Sequence, residues 1–577
     1  MIIKIYSILS QKERRQLPLL FFEILLGAIL ETVGISAIIP IVKILIDPSI
    51  LEESETLTKL YLWSKCGNIN SFVVMLLFAL VIYYLMKNSF LFLMYYHQYR
   101  FINKGQMILT DRLFTSYFSQ EYSYFTRRNI ADIQRNVAAD VGRCYQTILS
   151  FISVFTQSSM AAALICYLLI KDFITTVIVL GMIAVFMLVF MKLTHNMLLV
   201  FGQESRTNGS RVIQWVNQSI IGIKEVKLFN REQYFKKKIN DYYKKSSVAE
   251  TKTNVISTLP NLFMETICIV SIIMACIVRI KQGGDLSGFI STLLAFALAA
   301  IRLIPNVGGI SSKLNMITFN KASIDGIYKE LNDLNTINGG AQYIEIDASD
   351  TKMPFTDCIH VDNVSFRYSD SESNVLTNIT MDIHKGESVA FVGTSGAGKT
   401  TLADLILGIL KPTSGGIIVD GVSIEEDIHG WYNQIGYIPQ SIYLIDDSIR
   451  NNVAFGVDPS EIDDDRVWLA LKKAQLDSFV KGLPQGLDSN LGDRGVRCSG
   501  GQRQRIGIAR ALYNDPEFLI LDEATSALDN DTEKAIMDAI DDLKGEKTLL
   551  IIAHRLSTIK NCDSVYRIEN HVLIKEK

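Results

Sequence analysis

The chain carries no surplus of either charge. Its 577 residues include 57 Lys and Arg against 60 Asp and Glu, a net charge of -3. Neither a basic nucleic-acid-binding surface nor an acidic disordered tail is therefore expected. Paired cysteines are lacking too: Cys66, Cys144, Cys166, Cys268, Cys276, Cys358, Cys498 and Cys562 are scattered, with no CxxC and no metal-like spacing. That argues against a disulfide framework or a zinc site and leaves free thiols in a reducing cytosol or in lipid. Met1 to Gln16 is mildly amphipathic and ends in Lys12, Arg14 and Arg15, with no small-residue cleavage site after an apolar run. A removable signal peptide is not expected there; a short helix lying on the inner membrane surface is.

What the chain does have is apolar residues, 49% of the total, with a mean hydropathy of +0.22. The value fits the average of a very apolar half and an ordinary globular half. Six segments have the length and character of bilayer-spanning helices: Leu17–Ile46, Phe72–Tyr96, Ile148–Ile170, Phe173–Phe190, Leu262–Val278 and Leu286–Ile304. Only Lys171 and Asp172 separate the third from the fourth, and Arg279 to Asp285 the fifth from the sixth, so tight hairpins are expected on one side. The long connections, Gln98 to Gln146 and Leu193 to Leu259, hold Arg127, Arg128, Arg135, Lys224, Lys227, Arg231 and Lys236 to Lys238. The first outer loop carries Asp47, Glu52, Glu53 and Glu55 instead. This asymmetry places the long connections, both termini and the C-terminal domain in the cytosol. Helical periodicity with few Gly or Pro predicts that the connections are helices continuing below the membrane. Two amphipathic patches, Arg128–Val137 and Gly222–Phe229, are candidates for short transverse helices that touch the C-terminal domain.

Charges inside the spans need a reason, because hydrocarbon opposes them. Glu31 lies mid-span, Lys87 toward the inner part of the second segment, Glu265 in the fifth, and Arg302 near the inner end of the sixth. Snorkelling explains Lys87 and Arg302, and interhelical hydrogen bonding explains Glu31 and Glu265. The other reading is a polar cavity in which Arg302 and Lys87 hold a charged substrate.

Residues 331–354 read as a polar linker with turn chemistry. Beyond them, short β-branched runs alternate with helices, the pattern of an α/β phosphate-binding domain. Gly393-Thr394-Ser395-Gly396-Ala397-Gly398-Lys399-Thr400, then Thr401, follows an apolar strand and opens an apolar-periodic helix. That is the setting a P-loop requires: backbone N–H groups around phosphates, Lys399 neutralising charge, and the Thr400 hydroxyl on Mg²⁺. Phe518–Asp522 is a buried strand delivering Asp522 and Glu523 at its end, the first suited to a metal shell and the second to polarising water.

With these in place, Ser499-Gly500-Gly501-Gln502, followed by Arg503-Gln504-Arg505, resembles the ABC signature, and the resemblance covers the whole chain. It implies an exporter-type transmembrane domain of six helices (1–330), the linker, and an α/β ABC ATP-binding domain (355–577). By the same resemblance Gln440 is the Q-loop glutamine on the Mg²⁺ shell, Ser526–Asp529 the D-loop, His554 the switch histidine and Tyr368 the aromatic on adenine. Leu491–Gly495 resembles the loop that contacts the membrane half. ATP and Mg²⁺ are the implied ligands. Cys498 stands where the family usually has leucine. In this family one chain's signature completes another's ATP site. Because Ser499, Glu523 and His554 are all present, a homodimer is expected.

The membrane half is similar to bacterial lipid-linked oligosaccharide flippases at Glu31–Pro40 and Ala300–Pro305, and the motor at Gln440–Ile449 and Leu483–Gly486. The resemblance implies transfer of a polyprenyl-pyrophosphate glycan from the cytoplasmic to the outer leaflet of a bacterial inner membrane. Arg302 and Lys87 would hold the pyrophosphate, although Asn261 stands where a further basic residue would be expected. Export of a peptide or amphipathic drug is the alternative, and a non-transporting ATPase or channel on the same scaffold a more distant one.

Overall fold

Each apolar run in the first half lies toward one end of a longer helix. The computed structural model describes residues 1–46, 55–65, 68–171, 173–281, 286–337, 351–368, 371–492, 495–522, 530–553, 559 and 561–577. We label the long helices α1 (Gln11–Ile46), α2 (Ile69–Phe118), α3 (Val141–Lys171), α4 (Phe173–Ile221), α5 (Glu232–Lys281), α6 (Leu286–Phe319) and α7 (Lys321–Ile337). Five helices are long and apolar enough to cross a membrane over their described residues. The sixth expected span falls on the first half of α6, most of whose side chains lie outside the description. At 50 residues, α2 is about 75 Å long, against roughly 30 Å of hydrocarbon. Much of it must therefore project beyond the membrane, as the periodicity of the long connections predicts.

The chain divides into two compact units, Met1–Gln120 with Arg127–Ile344, and Glu121–Thr126 with Glu345–Lys577. In the first, α4 packs along α5 and α3 along α6. The N-terminal helix Ile2–Ile8 buries Ile5 and Ile8, and Lys4 Nζ lies 2.6 Å from Asp325 on α7. The expected linker begins too early at residue 331. Leu331 and Leu334 continue the buried stripe of Ile324 and Ile327, a helical spacing that carries α7 on to Ile337. At the other end Met353 and Phe355 already belong to the core of the second unit.

The first transverse patch also needs correction. The short helix grouped with the second unit is Tyr122–Arg127, of which residues 122–126 fall in that unit. Arg128–Val137 stays with the first unit because its charges are engaged there. Arg128 Nη1 donates to Glu330 at 3.1 Å, and Arg135 Nε to Asp140 at 3.2 Å. Asp140 is fully buried and also accepts from Arg206 Nε at 2.8 Å and Ser323 Oγ at 2.7 Å. One carboxylate thus ties three parts of the first unit, from the stretch before α3, from α4 and from α7. Asp140→Asn, which takes the carboxylate from Arg206 and leaves Arg135 with Asp132 alone, should destabilise the first unit by about 3–5 kcal/mol. Thermal unfolding of the full chain would show it, and an unchanged midpoint would refute it. The second patch is helical at Ile223–Leu228, with Leu228 and Phe229 exposed.

Lys87 does not snorkel. It is 3% exposed, and its Nζ lies 2.8 Å from Glu31 Oε2 and 4.6 Å from the centre of the Tyr84 ring. Glu31 has the interhelical role expected of it, with Lys87 as its partner.

The second unit is built on two sheets. One is antiparallel, ordered β2 (Leu376–His384), β1 (Cys358–Phe366), β4 (Ser414–Val419), β5 (Val422–Ser423). The other is ordered β10 (Val572–Lys575), β9 (Ser564–Glu569), β3 (Ser388–Val392), β8 (Thr548–Ile552), β7 (Phe518–Asp522), β6 (Ile435–Ile438). From β9 to β6 every pairing is parallel. All five residues of β3, β7 and β8 are buried, as unbroken apolar runs in a parallel sheet should be. Trp431, fully buried, stacks on Phe518 and donates from Nε1 to Ile406 O at 3.0 Å.

Candidate nucleotide site

The register of the parallel strands decides where the functional segments emerge. Phe391 pairs with Ile552 across β3 and β8, Asp522 with Ile552 across β7 and β8, and Ile438 with Leu521 across β6 and β7. The phosphate loop after Val392, Asp522, and the segment to Gln440 therefore leave the sheet at one carboxyl edge, where α/β folds bind ligands. Ala553, which leads to His554, donates its N–H to Phe391 O at 3.1 Å on the same edge. Glu523, Ser526–Asp529 and His554 themselves lie outside the described residues, as do Asp493 and Arg494.

The loop runs from Gly393 into α8 (Lys399–Ile406), with Gly398 as its N-cap at φ +105°. A side chain at Gly398 would meet Leu376 at 3.1 Å and Val375 at 3.2 Å, so both its conformation and its surroundings demand glycine. Thr394, Ser395, Gly396 and Thr400 are exposed, while Lys399 is buried. Lys399 Nζ donates to Gly393 O at 3.0 Å and Thr394 O at 3.1 Å, which holds the ammonium inside the curve of the loop. The Tyr368 hydroxyl lies 3.2 Å from Thr401 Oγ1, and its ring meets Phe366 edge-on with centroids 4.8 Å apart. This half-exposed aromatic thus stands beside the start of α8.

Asp522 is 7% exposed. Sequence reasoning missed its neighbour, Asp404 on α8, a carboxyl that burial and then the Asp522 charge push up to about 6. A folded pKa raised above the unfolded value means that the folded chain binds the extra proton. The motor therefore loses stability as pH rises from about 4 to about 6, and the loss is complete above that. Asp404→Asn should stabilise the nucleotide-free chain at pH 7.5 by about 2–3 kcal/mol and by little at pH 4. Unfolding midpoints at the two pH values test it; equal shifts would sink the idea.

Ser499 caps α9 (Gly500–Leu512) in a complete capping box: its hydroxyl accepts from Gln502 N, and Gln502 Oε1 accepts from Ser499 N at 2.9 Å. The exposed helix start, Ser499 and Gly500, offers N–H groups suited to an anion. Cys498 is half-buried, its thiol pushed up by burial, and its N–H donates to Gly495 O at 3.0 Å. Near its other end α9 is tied to the segment after Gln440. Arg510 donates to Asn452 O and Tyr443 O, each at 2.8 Å, and lies over the Phe455 ring at 4.4 Å. Burial lowers its guanidinium to about 10. Gln440 is exposed. Lys411 Nζ lies 2.8 Å from Glu121 Oε1 within the same unit, a contact no motif announced.

The comparisons with known proteins agree with this geometry. Residues 376–526 match the ABC transporter family and residues 21–301 the ABC transporter transmembrane region. An ATP-dependent lipid A-core flippase of Cupriavidus metallidurans is 32% identical over 459 residues, 77% of this chain and 74% of that one. One from Ralstonia nicotianae is 30% identical over 484 residues, 82% and 79% of the two chains. A solved bacterial Atm1-family ABC exporter with ATP bound shares the fold, with a TM-score of 0.76 at 20% identity over 97% of this chain and 95% of that one. The chain is a multi-pass membrane protein that binds ATP and couples its hydrolysis to translocation: it belongs to the ABC transporters, of the exporter type, with fused transmembrane and ATPase domains.

Proposed function

We propose that two copies of this chain form a flippase that carries a lipid-linked oligosaccharide, on a polyprenyl pyrophosphate, from the cytoplasmic to the outer leaflet of a bacterial inner membrane. The observation that carries the lipid reading is the likeness to lipid A-core flippases, which runs through both halves of the chain. Both termini and the ATPase domain face the cytoplasm in this reading.

In the ATP site, the loop from Gly393 to Thr401 cradles the phosphates and Tyr368 holds the adenine. The donor set Thr400, Gln440 and Asp522 is oxygen-rich and suits Mg²⁺, which would supply charge neutralisation across the phosphates. Glu523 polarises the attacking water, and His554 contacts the γ-phosphate. Ser499, Gly500, Gly501 and Gln502 of one copy close the site of the other, which explains why this helix start is exposed and fully capped. Exposed Leu228 and Phe229 serve as a docking point for a second motor.

Arg302 remains the candidate for the pyrophosphate, its side chain lying outside the described residues. Lys87 is better assigned to Glu31. Purified protein in liposomes should move a fluorescent lipid-linked oligosaccharide with ATP, and Glu523→Gln should stop it. Turnover that no polyprenyl-linked glycan stimulates, but that an amphipathic drug does, would overturn the reading in favour of drug export.

A further inference from the structure

Gln440 is strung between two differently anchored elements. On one side, Ile438 closes β6 and pairs with Leu521 of β7, so the parallel sheet fixes the chain two residues before Gln440. On the other side, the chain from Ser441 to Asp447 belongs to no helix or strand, and the signature region holds it instead. Three successive residues meet that region. Ile442 occupies the space left by Gly507 on α9, where a side chain would come within 2.4 Å of it. Tyr443 O accepts from Arg510 Nη1 at 2.8 Å. Leu444, 1% exposed, lies against Gly495, where a side chain would meet it at 2.6 Å.

A backbone without a ladder must find its hydrogen bonds elsewhere. Here Asn452, fully buried, supplies two: its Oδ1 accepts from Ile445 N and its Nδ2 donates to Ile445 O, both at 3.0 Å. Arg510 grips the same asparagine, donating from Nε to Asn452 O at 2.8 Å and from Nη2 to Asn452 Oδ1 at 3.2 Å. One planar guanidinium thus binds Tyr443 and Asn452 together, a fork that the single ammonium of a lysine does not reproduce. Ser499 caps α9 at one end, and Arg510 lies about 15 Å along the same helix. A displacement of α9 against the sheet leaves Ile438 in place and carries residues 442–444 along, so Gln440 has to move. In the paired arrangement proposed above, such a displacement accompanies engagement of Ser499 with the nucleotide of the second copy. We infer that Arg510 is a positioning residue: it makes the place of Gln440 in one ATP site depend on whether Ser499 is engaged in the other. The inference rests on the paired-site reading and adds to it a route between the two sites within one chain.

The test uses the full chain in lipid nanodiscs, carrying Glu523→Gln to hold ATP uncleaved, with hydrogen exchange read by mass spectrometry. ATP with Mg²⁺ should slow exchange several-fold both in 500–512 and in 441–453. With Arg510→Lys added, which keeps a cation beside the Phe455 ring that Arg510 covers, 500–512 should still respond to ATP and 441–453 should not. Arg510→Ala should give the same split. With Glu523 intact, either variant should lower kcat several-fold while KM for ATP and binding of a fluorescent analogue stay unchanged, because the P-loop and Tyr368 are untouched. An ATP response of 441–453 in Arg510→Lys equal to that of its parent overturns the inference. So does faster exchange throughout the motor before ATP is added, which would make the arginine a structural brace alone. If neither stretch of the parent responds to ATP, the paired-site reading fails and takes this inference with it. A response of 500–512 that Arg510→Lys leaves coupled to 441–453 defeats the inference and keeps the paired site.

Discussion

Lys399→Ala should lower ATP hydrolysis by about 100-fold or more, the scale seen when one preorganised donor to a developing charge is removed. The geometry makes this residue the most exposed to failure. The residue is 5% exposed, and its ammonium is held by the carbonyls of Gly393 and Thr394. Two effects then coincide. The phosphates lose the only cation within the loop sequence itself, and two carbonyls lose a charged donor, loosening the loop by about 1–3 kcal/mol. The second effect should be small for folding of the whole chain, because β3 and α8 are anchored by Phe391, Leu402 and Leu405, all fully buried. Hydrolysis and binding of a fluorescent ATP analogue should fall together while the thermal midpoint moves little. Hydrolysis within threefold of wild type, about 0.6 kcal/mol, would contradict this role for the P-loop.

How far this could be read in advance follows from the range of the interactions. The apolar spans were legible because hydrocarbon selects composition over about twenty consecutive residues, and α1 to α5 contain the expected segments. The phosphate loop was legible because glycine spacing, lysine and threonine are local, and the flanking strand and helix are adjacent in sequence. Contacts between distant segments were not. Glu31 and Lys87 stand 56 positions apart and present themselves as two separate anomalies until α1 and α2 pack side by side. Asp140 lies in an unremarkable polar stretch, and only folding brings Arg206 and Ser323 to it. Asp404 escaped notice for the same reason: the P-loop motif ends before it, and its neighbour Asp522 arrives from β7. The boundary at residue 331 failed differently. Asn and Gly further on drew attention to turns, whereas the periodicity of Ile324, Ile327, Leu331 and Leu334 governed the helix.

The Glu31–Lys87 pair carries the second large effect. Neutralising one member, by Glu31→Gln or Lys87→Met, should destabilise the first unit by about 3–5 kcal/mol, since it leaves a charge buried without its counter-ion. Replacing both should restore most of that loss, because a buried pair contributes little net stability relative to well-packed neutral groups. The packing around them supports recovery: the Tyr83 hydroxyl donates to Leu30 O at 2.5 Å and that of Tyr84 to Gly34 O at 3.3 Å, so α1 and α2 stay joined without the ions. The double variant also separates two roles for Lys87. If the ammonium serves only Glu31, Glu31→Gln with Lys87→Met keeps both its thermal midpoint and its transport in lipid nanodiscs. If it also grips the pyrophosphate, the midpoint recovers but translocation does not, and Lys87 returns to the substrate path beside Arg302. The burial of the ammonium against Tyr84, together with its 2.8 Å approach to Glu31, favours the first result.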